Sequence, residues 1–514
     1  MRLLNIAAAV ATVIAVLTLA SPASAATCES LRSLSLPNVT VTQAIVVGAG
    51  QFSPQGPGGA VPPDAAKLPA FCRVAATLTP TRDSDIKIEV WMPGQGWNGK
   101  FLGVGNGGWA GNISYPAMAE ALGRGYAVAS TDTGHSGNGG DASFALGHPE
   151  KLIDFGYRAV HEMTAAAKRF VSAFYDTAPR FSYWNGCSTG GKQGLTEAQR
   201  FPADYDGVIA GAPANNWTRL MTGLLWAGRA TLSDPANRIP AERFAILNRA
   251  ALNACDARDG VADGVIENPR SCRFDPQVVM CKEGDAADCL TAAQVEAAKK
   301  VYGPATNPRT GEALFPGLPP GSESGWGQAV GGPAPFPIPD SHFKYVVFED
   351  PKWDFRTLDF DRDVARAERV DNGTLTAINP DLNAFIKRGG KLLMYHGWSD
   401  TQVTPLNSIN YFQKVVSRFG TQAAGGSVQL YMVPGMSHCS GGPGTDVFNK
   451  VAALEQWMAT GTAPDRIVAS HLTNSTVDRT RPLCTFGSVA KWTGSGSSDD
   501  AANFACVASE SSTR

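Results

Sequence analysis

Two stretches of this chain alternate between the period of a β-strand and the period of an α-helix, and they are separated by about 160 residues in which clear strand alternation is scarce. In the first stretch, Ile86-Lys-Ile-Glu-Val-Trp-Met alternates apolar with polar side chains, Lys100 to Val104 runs into a glycine cluster, and Tyr126 to Ser130 is a short apolar run. Tyr115 to Gly123 reads as a helix between them. Asp154 to Tyr175 carries Val160, Met163, Ala167, Phe170, Val171 and Phe174 on one helical face, with Asp154 as the expected N-cap. Phe181 to Trp184 is a further short strand, followed by glycines and a helix from Gly190 to Gln199. The second stretch predicts a helix over 381–388, a strand over 391–395, a helix over 405–419, a strand over 428–433 and a helix over 446–460. Strand, helix, strand repeats bury both faces of a sheet with parallel members, so the fold class expected is α/β.

The middle stretch, 217–376, holds four of the ten cysteines, and Pro316 to Pro339 is rich in Gly and Pro. It reads as an insertion into an α/β core made of 26–216 and 377–514, and insertions at the C-terminal edge of a sheet tend to cover ligand sites. Residues 1–25 predict an export signal: Arg2 gives the positive charge, Leu3 to Ala20 the apolar core, and Ala23-Ser24-Ala25 a small-residue cleavage site. A cleaved chain starting at Ala26 would be secreted, periplasmic or extracellular, with no membrane partner. An even cysteine count in an exported chain is most simply read as a disulfide framework. No pair has C-x-x-C spacing, which removes support for zinc ribbons and thioredoxin-type sites. Forty-four basic against 46 acidic residues leave a formal charge of −2, without the basic excess that counterion release on nucleic acid requires, so no nucleic-acid partner is expected. The composition gives no reading of oligomeric state.

Gly186-Cys187-Ser188-Thr189-Gly190 is a G-x-S-x-G sequence between a predicted strand and a predicted helix. That context is the one a nucleophile elbow needs, because the serine must sit on a tight strained turn with neighbouring backbone close on both sides. A serine nucleophile also needs a base and an orienting carboxylate, and the order Ser, Asp, His is that of an α/β hydrolase. Asp400 follows the strand 391–395 and His438 follows the strand 428–433, so both are expected in loops just past strand C-termini, where Ser188 also lies. His396 is the competing histidine, but it ends its strand directly and reads as structural. His135 either lines the site or fixes a loop, and His148, His161, His342 and His471 have no mechanistic partner in sequence. Cys187 precedes the nucleophile and Cys439 follows the base. If these two pair, their bond would pin the elbow against the histidine loop. A second cluster, Asp256, Asp259 and Asp263, puts three carboxylates within eight residues among glycines, a pattern that reads either as a solvated acidic turn or as a calcium loop that departs from the EF-hand register.

Taken together, Tyr183-Trp-Asn-Gly-Cys-Ser-Thr-Gly-Gly-Lys-Gln-Gly, Ala210-Gly-Ala-Pro-Ala-Asn-Asn-Trp217, His396-Gly-Trp-Ser-Asp400 and Gly435-Met-Ser-His-Cys439 resemble the tannase and feruloyl esterase family of secreted α/β hydrolases, which includes mono(hydroxyethyl) terephthalate hydrolases. The resemblance spans nearly the whole mature chain. It implies an α/β-hydrolase core with a large inserted lid, a Ser188, Asp400, His438 triad, and a Cys187 to Cys439 disulfide beside it. It further implies the pairs Cys28 with Cys72, Cys255 with Cys272, Cys281 with Cys289 and Cys484 with Cys506. It also implies a structural Ca2+ in the lid, held by Asp256, Asp259 and Asp263 with the Val261 and Val265 carbonyls.

The activity this implies is hydrolysis of a small aromatic ester, of a hydroxycinnamic or gallic acid, by an acyl-enzyme route. The oxyanion would be held by the Thr189 N–H and by Gly107 or Gly108 in Gly105-Asn-Gly-Gly-Trp109. Lid aromatics such as Trp226, Trp326, Phe336, Phe343 and Tyr345 are candidates to stack on the ring. A terephthalate monoester is the alternative substrate, and it would require a cation at the acyl site; the sequence does not place one, since lid arginines such as Arg219, Arg229, Arg309 and Arg356 are too many to single one out. A non-catalytic binding module on the same fold is the reading from outside enzymology, and the complete Ser, Asp and His set argues against it.

Overall fold

A computed structural model describes residues 26–54 and 62–509. The export-signal expectation at 1–25 lies outside the described residues. One nine-stranded sheet organises the chain, built from β1 (Val39–Val47), β2 (Phe71–Leu78), β3 (Ile86–Pro93), β4 (Lys100–Val104), β5 (Ala127–Thr131), β6 (Phe181–Cys187) and β7 (Gly207–Gly211). Two further members, β10 (Lys391–Gly397) and β11 (Val428–Val433), come after a two-stranded hairpin of β8 (Ala305–Thr306) and β9 (Ala313–Phe315). The order is β1-β2-β3-β5-β4-β6-β7-β10-β11. Strands β1, β2, β3 and β5 pair antiparallel, and every pair from β5 across to β11 is parallel.

The parallel strands are short apolar runs because both of their faces are covered. Successive residues of β10 show this: Leu392 and Met394 enter one core, Leu393 and Tyr395 the other. On the first face lie α3 (Ala159–Tyr175) with Val160, Met163 and Phe170, and α4 (Thr189–Arg200) with Leu195. On the second lie α1 (Tyr115–Gly123) and the helix Lys450–Thr460, which contributes Leu454 and Trp457. Leu393 is fully buried, so truncating it to alanine is expected to cost about 2–5 kcal/mol.

Two helix starts differ from the sequence reading. Asp154 is not an N-cap. The helix opens earlier, at Pro149, whose missing N–H suits a first turn, and a π-turn over Asp154–Arg158 joins α2 (Pro149–Ile153) to α3. Asp154 is instead fully buried and accepts from Arg158 Nε at 2.5 Å. The last long helix begins at Lys450, not 446, because the Asn449 side chain caps it by accepting from the Ala452 N–H at 3.0 Å.

Between β7 and β10 the chain is helical, with α5 (Trp217–Leu232), α6 (Ala241–Cys255) and α7 (Ala292–Tyr302) the longest pieces. It shares one core with the α/β part, where Trp217, Leu220, Phe343 and Val347 pack with Trp109 and Phe155, and builds another of its own around Phe244, Leu247 and Trp326. Trp326 and Phe343 are fully buried there, which corrects their reading as ring-stacking residues. After β11 come two small hairpins, β12 (Arg466–Thr473) with β13 (Thr476–Cys484) and β14 (Ser488–Trp492) with β15 (Phe504–Ala508). All five cysteine pairs form as the resemblance implied, with Cα separations of 5.5 Å for Cys28–Cys72, 6.0 Å for Cys187–Cys439, 5.5 Å for Cys255–Cys272, 5.0 Å for Cys281–Cys289 and 5.7 Å for Cys484–Cys506.

Candidate active site

Strand β6 sits in the middle of the parallel sheet and feeds straight into α4, so the residue at the junction must reverse direction in one step. Ser188 does so at φ 62°, ψ −123°, outside the ordinary L-residue regions. The turn is that tight because strand and helix nearly touch: a Cβ on Gly186 would lie 2.3 Å from the Gly190 carbonyl oxygen. Trp184 Nε1 donates to the same oxygen at 2.8 Å and the Ser188 N–H donates to Gly211 O at 3.0 Å, which hold the elbow against its neighbours.

Loops from β4, β10 and β11 converge on the same C-terminal edge. The β4 loop is gripped by the first turn of α4: Gly190 N donates to Asn106 O at 2.8 Å, Asn106 N to Gln193 Oε1 at 3.1 Å, and Thr189 Oγ1 to Gly108 O at 2.9 Å. This sets Gly107 and Gly108 beside the N-terminus of α4, where the Thr189 N–H has no intrahelical acceptor. Gly107 is exposed with open space at its Cβ position, whereas Gly108, at φ +54°, is packed against Gly139 O.

Asp400 lies three residues past β10 and is completely buried. Its Oδ1 accepts the backbone N–H groups of Gln402 at 2.9 Å and Val403 at 3.0 Å. Its Oδ2 accepts from His438 Nδ1 at 2.7 Å and lies 3.0 Å from His396 Nε2. Burial by itself would push the Asp400 carboxyl up, but the attraction and hydrogen bonds of the two imidazoles outweigh it and hold the group well below the usual carboxylate range. The contact with His396 did not emerge from the sequence, where the i, i+4 spacing of His396 and Asp400 was its one signal. His396 is fully buried, with Nδ1 2.7 Å from Ser408 Oγ and Nε2 2.8 Å from Val403 O. His438 is part-exposed, like Ser188. The Cys187–Cys439 bond fastens the residue before Ser188 to the residue after His438.

His135 proves to be a loop brace. Its Nε2 lies 2.7 Å from Trp109 O, its ring stacks on Phe144 at 3.6 Å, and burial lowers its pKa to about 4. The inserted stretch is tied directly to the catalytic-edge loops: Ser399, Thr401 and Thr404 hydroxyls donate to the carbonyls of Gly321, Gly325 and Gly317, and Trp109 Nε1 donates to Ile338 O. None of the four arginines considered for the acyl site stands unengaged. Arg219 pairs with Glu312 and Glu368, Arg309 with Asp361, Arg356 with Asp354, and Arg229 donates to Leu358 O.

The acidic loop follows α6 and closes on itself through Gly260 and Gly264, both at positive φ. Asp256 accepts from the Asp263 and Gly264 N–H groups, Asp259 from Val261 N, and Asp263 from Arg479 and Arg481. Burial raises the Asp256 carboxyl and lifts Asp259 to about 6, with neighbouring carboxylates adding to both. This is an oxygen-rich donor set with unspent negative charge, and Val261 and Val265 are buried beside it. Among the described residues the three aspartates do not each bring an oxygen within 4.8 Å of the other two, so backbone carbonyls would have to share in holding a cation.

An α/β hydrolase is what this sheet, elbow and His–Asp pair define. A family model described as tannase and feruloyl esterase matches residues 72–507. An uncharacterized esterase of Xanthomonas campestris is 41% identical over 96% of this chain and 93% of its own length. The mono(2-hydroxyethyl) terephthalate hydrolase of Piscinibacter sakaiensis is 32% identical over 95% of this chain and 92% of its own. The crystal structure of feruloyl esterase B from Aspergillus oryzae superposes with a TM-score of 0.87 at 31% identity, covering 93% of this chain and 99% of that one. The chain belongs to the tannase and feruloyl esterase family, and it is a carboxylic ester hydrolase.

Proposed function

We propose that this protein is an exported serine esterase that hydrolyses esters of phenolic acids, hydroxycinnamic or gallic, with Ser188 as nucleophile, His438 as base and Asp400 as its orienting carboxylate. The observation that carries the reading is the 2.7 Å bond between His438 Nδ1 and Asp400, on a histidine loop fastened to the elbow by Cys187–Cys439. With Nδ1 committed to Asp400, Nε2 is the nitrogen that takes the Ser188 proton as Oγ attacks the ester carbonyl. The tetrahedral oxyanion is held by the Thr189 N–H together with Gly107 or Gly108. His438 then protonates the departing alcohol, and water, activated by the same imidazole, releases the acid and restores Ser188. The five disulfides support an oxidising, extracytoplasmic location.

A phenolic acyl group is favoured over a terephthalate monoester because the second carboxylate of terephthalate needs a cation, and the candidate arginines are already engaged. Initial rates on methyl ferulate, methyl gallate and a terephthalate monoester test this. Ferulate or gallate is expected to turn over fastest, and a preference for terephthalate would contradict the phenolic reading. We assign Asp256, Asp259 and Asp263, with the Val261 and Val265 carbonyls, as the residues that would hold Ca2+. When bound, calcium would neutralise the carboxylates that this loop buries, a structural role away from Ser188.

A further inference from the structure

On the face of the sheet covered by α3 and α4, three side chains from different segments converge: His161 near the start of α3, Glu197 in the last turn of α4, and Asp204 in the loop beyond it. One ligand atom from each lies within 4.8 Å of the other two. His161 Nδ1 is 2.6 Å from Asp204 Oδ2, and the imidazole is held in plane by stacking on Phe201, with centroids 3.9 Å apart at 10°. Glu197 is the member that demands an explanation. It is 1% exposed, no N–H or O–H group donates to either of its oxygens, and burial together with the carboxyl it meets, that of Asp204, a second acceptor, pushes its pKa up. A bare carboxylate without partners is among the least tolerable groups in a protein interior, so Glu197 must either carry a proton or face a cation. The Lys168 ammonium, whose charge Glu197 feels, is committed to the Asp204 carbonyl. Lys192 Nζ, on the same helix as Glu197, donates to Gly156 O at 2.5 Å.

We infer that His161, Glu197 and Asp204 form a binding site for a divalent transition-metal ion of the zinc type, outside the catalytic machinery and distinct from the acidic loop. The donor chemistry selects the class. An imidazole with two carboxylates suits zinc and its neighbours, whereas calcium takes oxygen donors alone. The ion would take the place of the proton now shared between His161 and Asp204 and would supply Glu197 with its missing partner. Access is from the His161 side, whose side chain is 34% exposed against 15% for Asp204. The expected consequence is mechanical. Glu197 lies nine residues after Ser188 on the helix that carries the elbow, so the ion would clamp the far end of that helix to α3 and to the Phe201–Asp204 turn.

The test is metal retention by the purified full-length mature protein. The protein is stripped with chelator, supplied with excess calcium to satisfy the acidic loop, exposed to zinc chloride, desalted, and its zinc measured by elemental analysis. About one zinc per chain is expected for the wild type, with a higher melting temperature than the stripped protein. His161→Ala, a truncation at a part-exposed position, is expected to lose both the zinc and the zinc-dependent shift while keeping esterase activity. Glu197→Gln is expected to lose the zinc as well. No retained zinc in the wild type would overturn the proposal and leave Glu197 as a protonated acid against Asp204, and undiminished zinc in His161→Ala would overturn it by placing the metal elsewhere.

Discussion

Asp400 accepts four donors while wholly buried, two backbone N–H groups on Oδ1 and two imidazoles around Oδ2. A neutral amide in its place would leave the geometry but present an N–H where an acceptor is needed, favouring the wrong His438 tautomer. Asp400→Asn is therefore expected to fold and to lower kcat by roughly 10⁴-fold, which steady-state kinetics on methyl ferulate would read. His396→Gln keeps a hydrogen-bonding group beside Asp400 and is expected to cost far less in kcat; an equal loss in the two variants would make the buried His396 contact as necessary to Asp400 as its bond to His438. The positions of the proposed triad residues at strand ends were legible in the sequence because motif and strand pattern fix them locally. The sharing of one carboxylate by two histidines was not, since it depends on how the chain between His396 and Asp400 curls back, and apolar periodicity carries no such information.

At the level of elements, the site is a set of loops hung from strand ends, and the Cys187–Cys439 bond links two of them across a sequence separation of 252. Cross-linking so long a loop restricts the unfolded chain strongly, by roughly 5 kcal/mol in the loop-entropy estimate. The bond also holds the elbow to the histidine loop, and small misplacements of reacting groups are costly in rate, on the order of 10²-fold for an ångström. Replacing both cysteines by serine is expected to lower the melting temperature and, at temperatures where the variant is still folded, to lower kcat on methyl ferulate by tenfold or more. Unchanged kcat in the folded variant would reduce the bond to a stabilising role. The strands 391–395 and 428–433 and the helix 405–419 could be read from sequence because their apolar patterns are long and cleanly bounded. The start of the α2–α3 helix could not, because a π-turn at Asp154–Arg158 shifts the face that each residue presents. In the inserted stretch the helices α5, α6 and α7 are separated by runs of short 3₁₀ turns, which break the apolar pattern between them into pieces too short to show a fold.

For the whole molecule, the inserted segment matters through its ties to the catalytic edge, at Gly317, Gly321, Gly325 and Ile338. If its acidic loop holds calcium as proposed, stability depends on pH and calcium together. The Asp259 carboxyl titrates at about 6, above its ordinary value of 3.8, so the folded protein without calcium binds a proton that the unfolded chain has released, and this stabilisation is lost as pH rises through 6. Calcium requires the ionised form. The rise in melting temperature on adding calcium is therefore expected to be small at pH 5 and larger at pH 7.5, as scanning calorimetry in chelator and in calcium would show. An equal response at both pH values, or none, would argue against the loop as the calcium site. The central claim is the chemistry at Ser188, and its most direct measurement is the mass of the protein after reaction with a fluorophosphonate, with the modified peptide sequenced. A single adduct on Ser188, absent in Ser188→Ala and accompanied by loss of methyl ferulate hydrolysis, is the expected result. Full hydrolysis by Ser188→Ala, or an adduct on another serine, would contradict it.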